Sequence, residues 1–320
     1  MRILVTGGAG FFGSSVVKKL SKLQNDVVVL DDLSTGSLSN LNGFEGKFIL
    51  GSILDDDTLK QSLIGVEAVI HMAVRNVRES LTKPLINFDS NAVGTLKLLE
   101  NCRDSLVKKF IYCSSSEVYG NSGVDLLDAD ATLCRPSTVY GAGKLAGELL
   151  TQAYGETHGL SYVIVRPFNV YGPNASKVNT GSELITRFVH QRLSNEPFTI
   201  YGEGSQIRDL TYVEDSAGWI VEVLDKYESV KYKTLNLGSN FAPSVLEVAN
   251  FVAAVLHPEK PLKFNFIDER PGDISCLRPN LEKTKLFLDL KSETSFETGL
   301  EIVAKSILNM PKFELEEKNW

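Results

Sequence analysis

The sequence predicts an α/β protein with a doubly wound parallel sheet. Along the first half of the chain, short runs rich in Val, Ile and Leu alternate with amphipathic stretches of helical length. Alternation of strands and helices is typical of a parallel sheet that carries helices on both faces. The runs are apolar at nearly every position, as expected of strands that are covered on both sides.

The predicted elements follow in a regular order. Strands are expected at 2–6, 26–31, 47–50, 67–72, 108–114 and 161–166. Helices in the same half are expected at 11–24, 84–103 and 139–158. In the second half the loops lengthen, Gly, Pro and Asn become more frequent, and helices are expected at 180–195, 212–227, 243–256 and 295–308. We therefore expect a sheet-forming domain at 1–166, to which some later segments return, a smaller interleaved region at 167–308, and a charged tail at 309–320.

The composition excludes some classes of protein. The 320 residues carry 33 basic and 40 acidic side chains, for a net charge of -7. This balance argues against general nucleic-acid binding, which needs a basic face, although a few placed arginines could still bind an anion. The four cysteines and four histidines lack the spacing of metal ligands, which predicts reduced thiols and no metal site. No apolar run is long enough to cross a membrane and the first strand leaves no room for a signal peptide, so we expect a cytoplasmic protein.

A glycine cluster marks the first strand-to-helix junction. In VTGGAGFFGSS, Gly7, Gly10 and Gly13 recur at three-residue spacing. Free amides at the helix N-terminus can bind a pyrophosphate here, so the cluster predicts a Rossmann-type dinucleotide site. Asp31 ends the second strand, where a carboxylate binds the adenine-ribose hydroxyls and repels a 2′-phosphate, and no arginine follows in the next loop. Both features favour NAD over NADP. Asp32 either contacts the cofactor or only caps the loop.

Tyr140 and Lys144 are four residues apart at the start of a predicted helix and therefore lie on one face of it. A tyrosine has an ordinary pKa of about 10, which a neighbouring ammonium and a nicotinamide cation would lower. Ser115 follows the strand in FIYCS, and ligands of parallel sheets bind at the carboxyl ends of the strands. The pattern predicts that Tyr140 acts as a base beside Lys144 and Ser115.

Five motifs, TGGAGFFG, SSSEVYG, YGAGK, RPFNVYGP and RDLTYVED, resemble in their order and spacing the extended short-chain dehydrogenase/reductase family. Within it, the chain is similar over nearly its whole length to the NAD-dependent nucleotide-sugar epimerases and dehydratases. The resemblance implies a nucleotide-sugar 4-epimerase with tightly held NAD, which acts on a UDP-sugar through a transient 4-keto intermediate. It also implies that 1–166 binds NAD, that 167–308 mainly binds the nucleotide sugar, and that helices after strands four and five form a homodimer interface.

The resemblance assigns roles to single residues. It makes Ser115, Tyr140 and Lys144 catalytic. It implies contacts with NAD from Gly7, Gly10, Phe11, Phe12, Gly13, Asp31, Asp32, Ser34, Thr35, Gly36, Ser52, Ile53, Met72, Ala73, Val74, Asn91, Tyr140, Lys144 and Pro167. It implies contacts with the nucleotide sugar from Ser115, Ser116, Glu117, Asn169, Tyr201, Arg208, Arg270 and Asp273. Asn91 is expected to order the loop beside Ser115, and Ser52 replaces an aspartate that normally holds the adenine amino group.

Glu117 leaves the reaction open. It stands where epimerases of the family carry a small or neutral residue, and where decarboxylases and some dehydratases carry glutamate. It either contacts a substrate hydroxyl or local backbone, or acts as a catalytic base for enolisation at carbon 5. The alternative function is therefore a nucleotide-sugar 4,6-dehydratase or decarboxylase. A third interpretation is a non-catalytic dinucleotide sensor, which has no need of the three catalytic residues.

Overall fold

The computed structural model describes residues 1–175 and 183–309. In the first half of the chain the strands are β1 Arg2–Thr6, β2 Asp26–Asp31, β3 Lys47–Leu50, β4 Ala68–His71, β5 Lys109–Cys113 and β6 Tyr162–Pro167. The helices are α1 Phe11–Lys22, α2 Asp56–Ser62, α3 Val77–Thr82, α4 Pro84–Phe88, α5 Gly94–Arg103 and α6 Val139–His158. Short 3₁₀ turns lie at Leu38–Leu41 and Ser116–Tyr119, and a π-helical turn lies at Asp89–Val93.

The second half contains shorter strands between its helices. The strands are β7 Val170–Tyr171, β8 Phe198–Tyr201, β9 Ile207–Arg208, β10 Thr211–Tyr212, β11 Thr234–Leu237, β12 Phe264–Ile267 and β13 Cys276–Leu277. The helices are α7 Leu184–Leu193, α8 Val213–Asp225, α9 Tyr227–Val230, α10 Val245–Val255, α11 Glu282–Lys285 and α12 Phe296–Leu308. Within the described ranges, no helix is both long and apolar enough to span a bilayer.

Seven strands form one parallel sheet in the order β11-β6-β5-β4-β1-β2-β3. In β1, Leu4 lies between Val28 of β2 and Val69 of β4. Ile3 and Val5 belong to the hydrophobic core on one side of the sheet, and Leu4 belongs to the core on the other. Because alternate side chains of a strand point to opposite faces, this division shows that both faces are covered. The predicted doubly wound parallel sheet is confirmed.

β11 is a strand that the sequence analysis did not predict. It pairs with β6 at the edge of the sheet, with Thr234 opposite Ile164, although it comes from the second half of the chain. From the same half, α8 packs against α1, and the hydroxyl of Ser15 donates to the Glu214 carboxylate at 2.8 Å. The second half is therefore built partly onto the sheet.

The predicted helices are recovered with one interruption. The helix expected at 139–158 is α6, whose first turn is capped by Thr138 Oγ1 and whose end is the left-handed Gly159, with φ of 72°. The helix expected at 84–103 is broken by the π-helical turn at Asp89–Val93, and α2 was not predicted. Residues 180–182 of another expected helix, and 310–320 of the expected tail, lie outside the described residues.

Candidate active site

The glycine turn between β1 and α1 is held against the loop that follows β4. Gly7 has a φ of +69°, and a Cβ there would lie 2.7 Å from the backbone of Ala73. Gly10 is the N-cap of α1 and makes no side-chain hydrogen bond. The first backbone N–H groups of the helix are therefore not capped by a side chain and can bind a ligand. A glycine-lined turn with free helix amides is the shape that a pyrophosphate requires. Phe11 and Phe12 begin the helix and pack into the adjoining cores.

Asp31 lies at the end of β2, directly beside this turn. Its two carboxylate oxygens accept hydrogen bonds from the backbone N–H groups of Ala9, at 2.9 Å, and Leu33, at 2.8 Å. Burial raises the pKa of the Asp31 carboxyl, and these two hydrogen bonds act in the opposite direction. The carboxylate therefore joins the glycine turn to the strand end, where an adenine ribose would lie.

Asp32 and the loop after it are more exposed. One oxygen of Asp32 accepts from the backbone N–H of Ser34 at 2.9 Å, which is the loop-capping role that the sequence allowed. The other lies 3.8 Å from the Arg75 guanidinium. Thr35 is exposed, and Gly36 lies so close to Ala9 that a Cβ would be 2.9 Å from its backbone. The predicted NAD residues of this loop therefore border the glycine turn.

The loop after β4 forms the other side of the turn. The backbone N–H groups of Met72 and Ala73 donate to Thr6 Oγ1 at 3.1 and 3.2 Å. Asn91, in the π-helical turn, accepts from the Arg75 N–H at 2.9 Å and donates to its carbonyl at 3.0 Å. The hydrogen bonds of Asn91 thus order this loop rather than the one beside Ser115. Val74, which lies between Ala73 and Arg75, is exposed.

The remaining predicted cofactor residues lie at the edges of the site. Ser52 follows β3, and its hydroxyl accepts from the backbone N–H of Leu54 at 3.2 Å. Ile53 is buried and packs against Gly94 at the start of α5. Pro167 is the last residue of β6. Their contact with a cofactor stays a prediction.

Ser115 and Tyr140 meet at the carboxyl end of β5. Ser115 caps the 3₁₀ turn at Ser116–Tyr119, and its hydroxyl accepts from the backbone N–H of Glu117 at 3.2 Å. Tyr140 is the second residue of α6. Burial raises the pKa of the Tyr140 hydroxyl, and a side-chain hydrogen bond with Ser115 lowers it. As a base, Tyr140 therefore needs further positive charge close by.

Lys144 lies one turn further along α6 and is 3% exposed. Burial lowers its pKa from 10.5 to about 8. Its ammonium lies 4.8 Å from the centre of the Tyr112 ring. Burial, aided by the charge of Lys144, lowers the pKa of His71 to about 3, and both of its ring nitrogens lie within 3.0 Å of the hydroxyls of Thr6 and Thr95. His71 is thus a neutral structural residue, whereas Lys144 is a buried cation one helical turn from Tyr140.

A buried polar network holds Ser114, the neighbour of Ser115, in place. The sequence analysis did not predict this network. Glu148 accepts hydrogen bonds from the Ser114 hydroxyl at 2.5 Å and from Arg166 at 2.9 and 2.6 Å. Arg166 also donates to the Tyr119 hydroxyl at 2.9 Å, which in turn donates to Asn236 at 2.6 Å. The network connects α6, β6 and β11 to the strand end that carries Ser115, and so fixes its position.

A cleft opens next to Glu117. Six of the predicted substrate residues line it: Glu117, Asn169, Tyr201, Arg208, Arg270 and Asp273. The other two, Ser115 and Ser116, do not line it, and Ser116 is 3% exposed within the 3₁₀ turn. Three further charged residues, which the sequence analysis did not single out, line it as well: Arg78, Glu183 and Arg187. The only signal for Arg187 in the sequence is a charge among the apolar positions of α7.

The charges in the cleft are arranged around Glu117 and Arg208. Arg208 donates to the Asp273 carboxylate at 2.8 Å, and Gln206 donates to the same carboxylate at 3.3 Å. Burial raises the pKa of Glu117 from 4.5 to about 7, with Arg208 acting in the opposite direction. The amide nitrogen of Asn169 is buried without a hydrogen-bond partner in the described part of the chain. The cleft therefore combines arginine side chains, a carboxyl group (Glu117) whose pKa is close to neutral pH, and an amide donor (Asn169) without an acceptor.

Residues 3–238 match the model of the NAD dependent epimerase/dehydratase family. The chain belongs to this family. A putative UDP-glucose 4-epimerase of Methanocaldococcus jannaschii is 35% identical over 317 residues, which cover 97% of this chain and 98% of that protein. The structure of a UDP-glucose 4-epimerase from Thermotoga maritima with UDP-glucose has a TM-score of 0.89 and 29% identity, covering 96% of this chain and 99% of that one. A UDP-glucuronic acid 4-epimerase of Bacillus cereus with UDP-glucuronic acid and NAD has a TM-score of 0.88 and 30% identity, with coverage of 96% and 99%.

The protein is thus an enzyme of the epimerase/dehydratase family, and its cofactor is NAD. The residues present fit this dinucleotide. The glycine turn leaves no room for a side chain at Gly7, and no side chain caps the first amides of α1, which could therefore bind a pyrophosphate. Asp31 has the position that binds a ribose and repels a 2′-phosphate.

Proposed function

We propose that the protein is a nucleotide-sugar 4-epimerase that acts on a UDP-sugar through a transient 4-keto intermediate. One observation carries this proposal. Ser115 and Tyr140 are hydrogen-bonded at the carboxyl end of β5, Lys144 lies one turn further along α6, and Glu117, two residues after Ser115, lines a cleft that also contains Arg208 and Arg270. Relatives named UDP-glucose and UDP-glucuronic acid 4-epimerases support the choice of reaction and of nucleotide.

Each catalytic side chain has a role that follows from its surroundings. Tyr140 would remove the proton of the sugar 4-hydroxyl, and Ser115, its hydrogen-bonding neighbour, would bind the same oxygen. The Lys144 ammonium would stabilise the tyrosinate that Tyr140 needs before it can accept this proton, since it is the buried cation one helical turn away. Bound NAD supplies the hydride acceptor and donor. The cleft must then allow the keto sugar to turn before reduction from the other face.

A second candidate is a nucleotide-sugar 4,6-dehydratase or decarboxylase, and Glu117 favours it. With a pKa of about 7, its carboxyl holds a proton part of the time at neutral pH. That is the state in which a side chain both accepts and donates protons efficiently. An epimerase needs no such group, so Glu117 would then only bind a substrate hydroxyl.

Proton NMR in heavy water distinguishes the two reactions. The protein would be incubated with UDP-glucose, UDP-N-acetylglucosamine and UDP-glucuronate, with no NAD added. A 4-epimer that carries no deuterium at carbon 5 or 6 supports the epimerase. A keto-deoxy or pentose product, or deuterium at carbon 5, contradicts it and makes Glu117 central. If none of these nucleotide sugars is converted, and if the absorbance of the bound NAD does not change when they are added, the result would instead favour a dinucleotide sensor.

We also propose a homodimer in the cytoplasm. Apolar side chains are exposed on α4, α5 and α6, among them Leu85, Ile86 and Leu149, and a second copy would bury them. All four cysteines are free thiols, which suits a reducing compartment. Light scattering should give twice the chain mass for the wild type and a lower mass for Leu85→Asp.

A further inference from the structure

Arg187 is a buried cation with unused hydrogen-bond donors. It lies on α7 and is 6% exposed. Its Nε and Nη1 make no hydrogen bond in the described part of the chain. Burial lowers the pKa of Arg187 to about 10, and the guanidinium groups of Arg78 and Arg270 act in the same direction. A buried charged donor without an acceptor destabilises a folded protein, so its retention indicates a ligand.

Arg192, on the same helix, shows how this fold treats a structural arginine. Its guanidinium donates to the carbonyl oxygens of Leu256 at 2.8 Å, Lys260 at 2.9 Å and Pro261 at 3.2 Å. Arg192 is 4% exposed, so it is as deeply buried as Arg187. The chain therefore supplies acceptors for a buried guanidinium where the role is structural, and leaves Nε and Nη1 of Arg187 without any.

Arg187 lines the cleft together with other cations. The centre of the Tyr201 ring lies 5.3 Å from the guanidinium carbon of Arg187 and 4.4 Å from that of Arg270. Arg78 and Glu183 line the same cleft. Of the other two carboxyl groups that line the cleft, Asp273 is paired with Arg208 at 2.8 Å, and Glu117 has a pKa that burial raises to about 7. Four guanidinium groups thus share the cleft with three carboxyl groups, one of which holds a proton part of the time at neutral pH, and this excess of positive charge fits an anion.

We propose that Arg187 binds a phosphate oxygen of the substrate diphosphate, as a further guanidinium beside Arg208 and Arg270. This inference rests on the proposed function, because it takes a nucleotide sugar as the ligand. A diphosphate offers several oxygens and two negative charges, and a guanidinium can hold two oxygens at once. The Asp273 carboxylate already neutralises part of the charge of Arg208. A further cation is therefore needed to balance the two negative charges of the diphosphate. A neutral base or a sugar hydroxyl would not offset the charge of Arg187.

Calorimetric titration of the NAD-loaded protein tests the proposal. UDP, UMP and uridine would be titrated into the wild type, Arg187→Met, Arg187→Lys and a control, Lys60→Met, which removes an exposed charge that does not line the cleft. We expect Arg187→Met to weaken UDP binding at least tenfold and to leave uridine binding unchanged. Arg187→Lys should weaken UDP binding less, because lysine keeps the positive charge but cannot donate to two phosphate oxygens from a planar guanidinium group. The unfolding temperature of Arg187→Met should equal or exceed that of the wild type, whereas loss of a structural arginine would lower it.

Other outcomes contradict the proposal. Equal UDP affinity in the wild type and Arg187→Met would overturn it. A loss that appears with UDP-glucuronate but not with UDP or UDP-glucose would also overturn it, and would assign Arg187 to a sugar carboxylate. If the wild type binds none of UDP, dTDP and GDP, the proposed function itself fails together with this inference. If Arg187→Met does not fold, Arg187→Lys must still weaken UDP binding relative to uridine, or the proposal is wrong.

Discussion

The Glu117 carboxyl should make the protein less stable as the pH rises from 5 to 8. Burial raises its pKa from 4.5 to about 7. Over this range the folded protein therefore keeps a proton that the unfolded chain releases, and the free energy of unfolding falls with pH. The contribution is fully present below pH 4.5 and is lost as the pH passes 7. Because one pH unit corresponds to about 1.4 kcal/mol, the whole effect is about 3 kcal/mol, of which about 2.5 kcal/mol lies between pH 5 and 8.

Glu117→Gln removes this titration and keeps the shape of the side chain. Thermal unfolding of the NAD-loaded wild type and variant would be measured at pH 5 and pH 8. We expect the variant to gain about 2.5 kcal/mol on the wild type between the two pH values, or roughly 5 °C at roughly 2 °C per kcal/mol for a chain of this size. Glu45→Gln, at an exposed position, should show no such gain. A difference between Glu117→Gln and wild type that is the same at both pH values would refute the reasoning, and the case for a catalytic Glu117 would lose its support.

Three further substitutions test the site and its support. Tyr140→Phe should lower turnover about 1000-fold and leave UDP affinity within a few-fold, because it removes only the hydroxyl; steady-state rates and calorimetry would show a binding role instead if both fell together. Gly7→Ala should abolish NAD retention, because its Cβ would lie 2.7 Å from the Ala73 backbone; NAD released on denaturation measures this, and a normal content would contradict it. Arg166→Met should destabilise the protein by about 3–5 kcal/mol in urea unfolding, because Glu148 would be left as an unpaired buried charge. Adding Glu148→Gln should recover part of that loss, and no recovery would show that the pair acts through packing alone.

The elements that the sequence predicted are those with local signals. α6 has a capping threonine, Thr138, at its start and a glycine, Gly159, at its end, so both bounds could be read from the chain. β11 has no such signal, since its four residues TLNL include two polar ones. It becomes a strand because β6 offers a free edge, and because Tyr119 accommodates the buried Asn236 through a hydrogen bond at 2.6 Å. Whether such a segment forms a strand depends on a pairing partner that is distant in the sequence.

The site divides in the same way. The glycine turn and the pair Tyr140 and Lys144 are spaced within one helix or one junction, so their proximity follows from local geometry. The four arginines of the cleft come from α3, α7, β9 and the loop after β12, and only the tertiary fold brings these elements together. The pKa of Glu117 depends on its burial, which no spacing in the sequence expresses.

The buried charges of the site link stability to ligand affinity. Burial lowers the pKa of Lys144 to about 8 and that of Arg187 to about 10, and it raises that of Glu117 to about 7. In each case the fold disfavours the charged form, so keeping that form at neutral pH lowers the free energy of unfolding. The same exclusion of water strengthens the attraction between each group and an opposite charge on a ligand. Substitutions that remove these charges should therefore raise stability and weaken binding together, which separates them from Arg166, whose loss should lower stability because its partner is already in the protein.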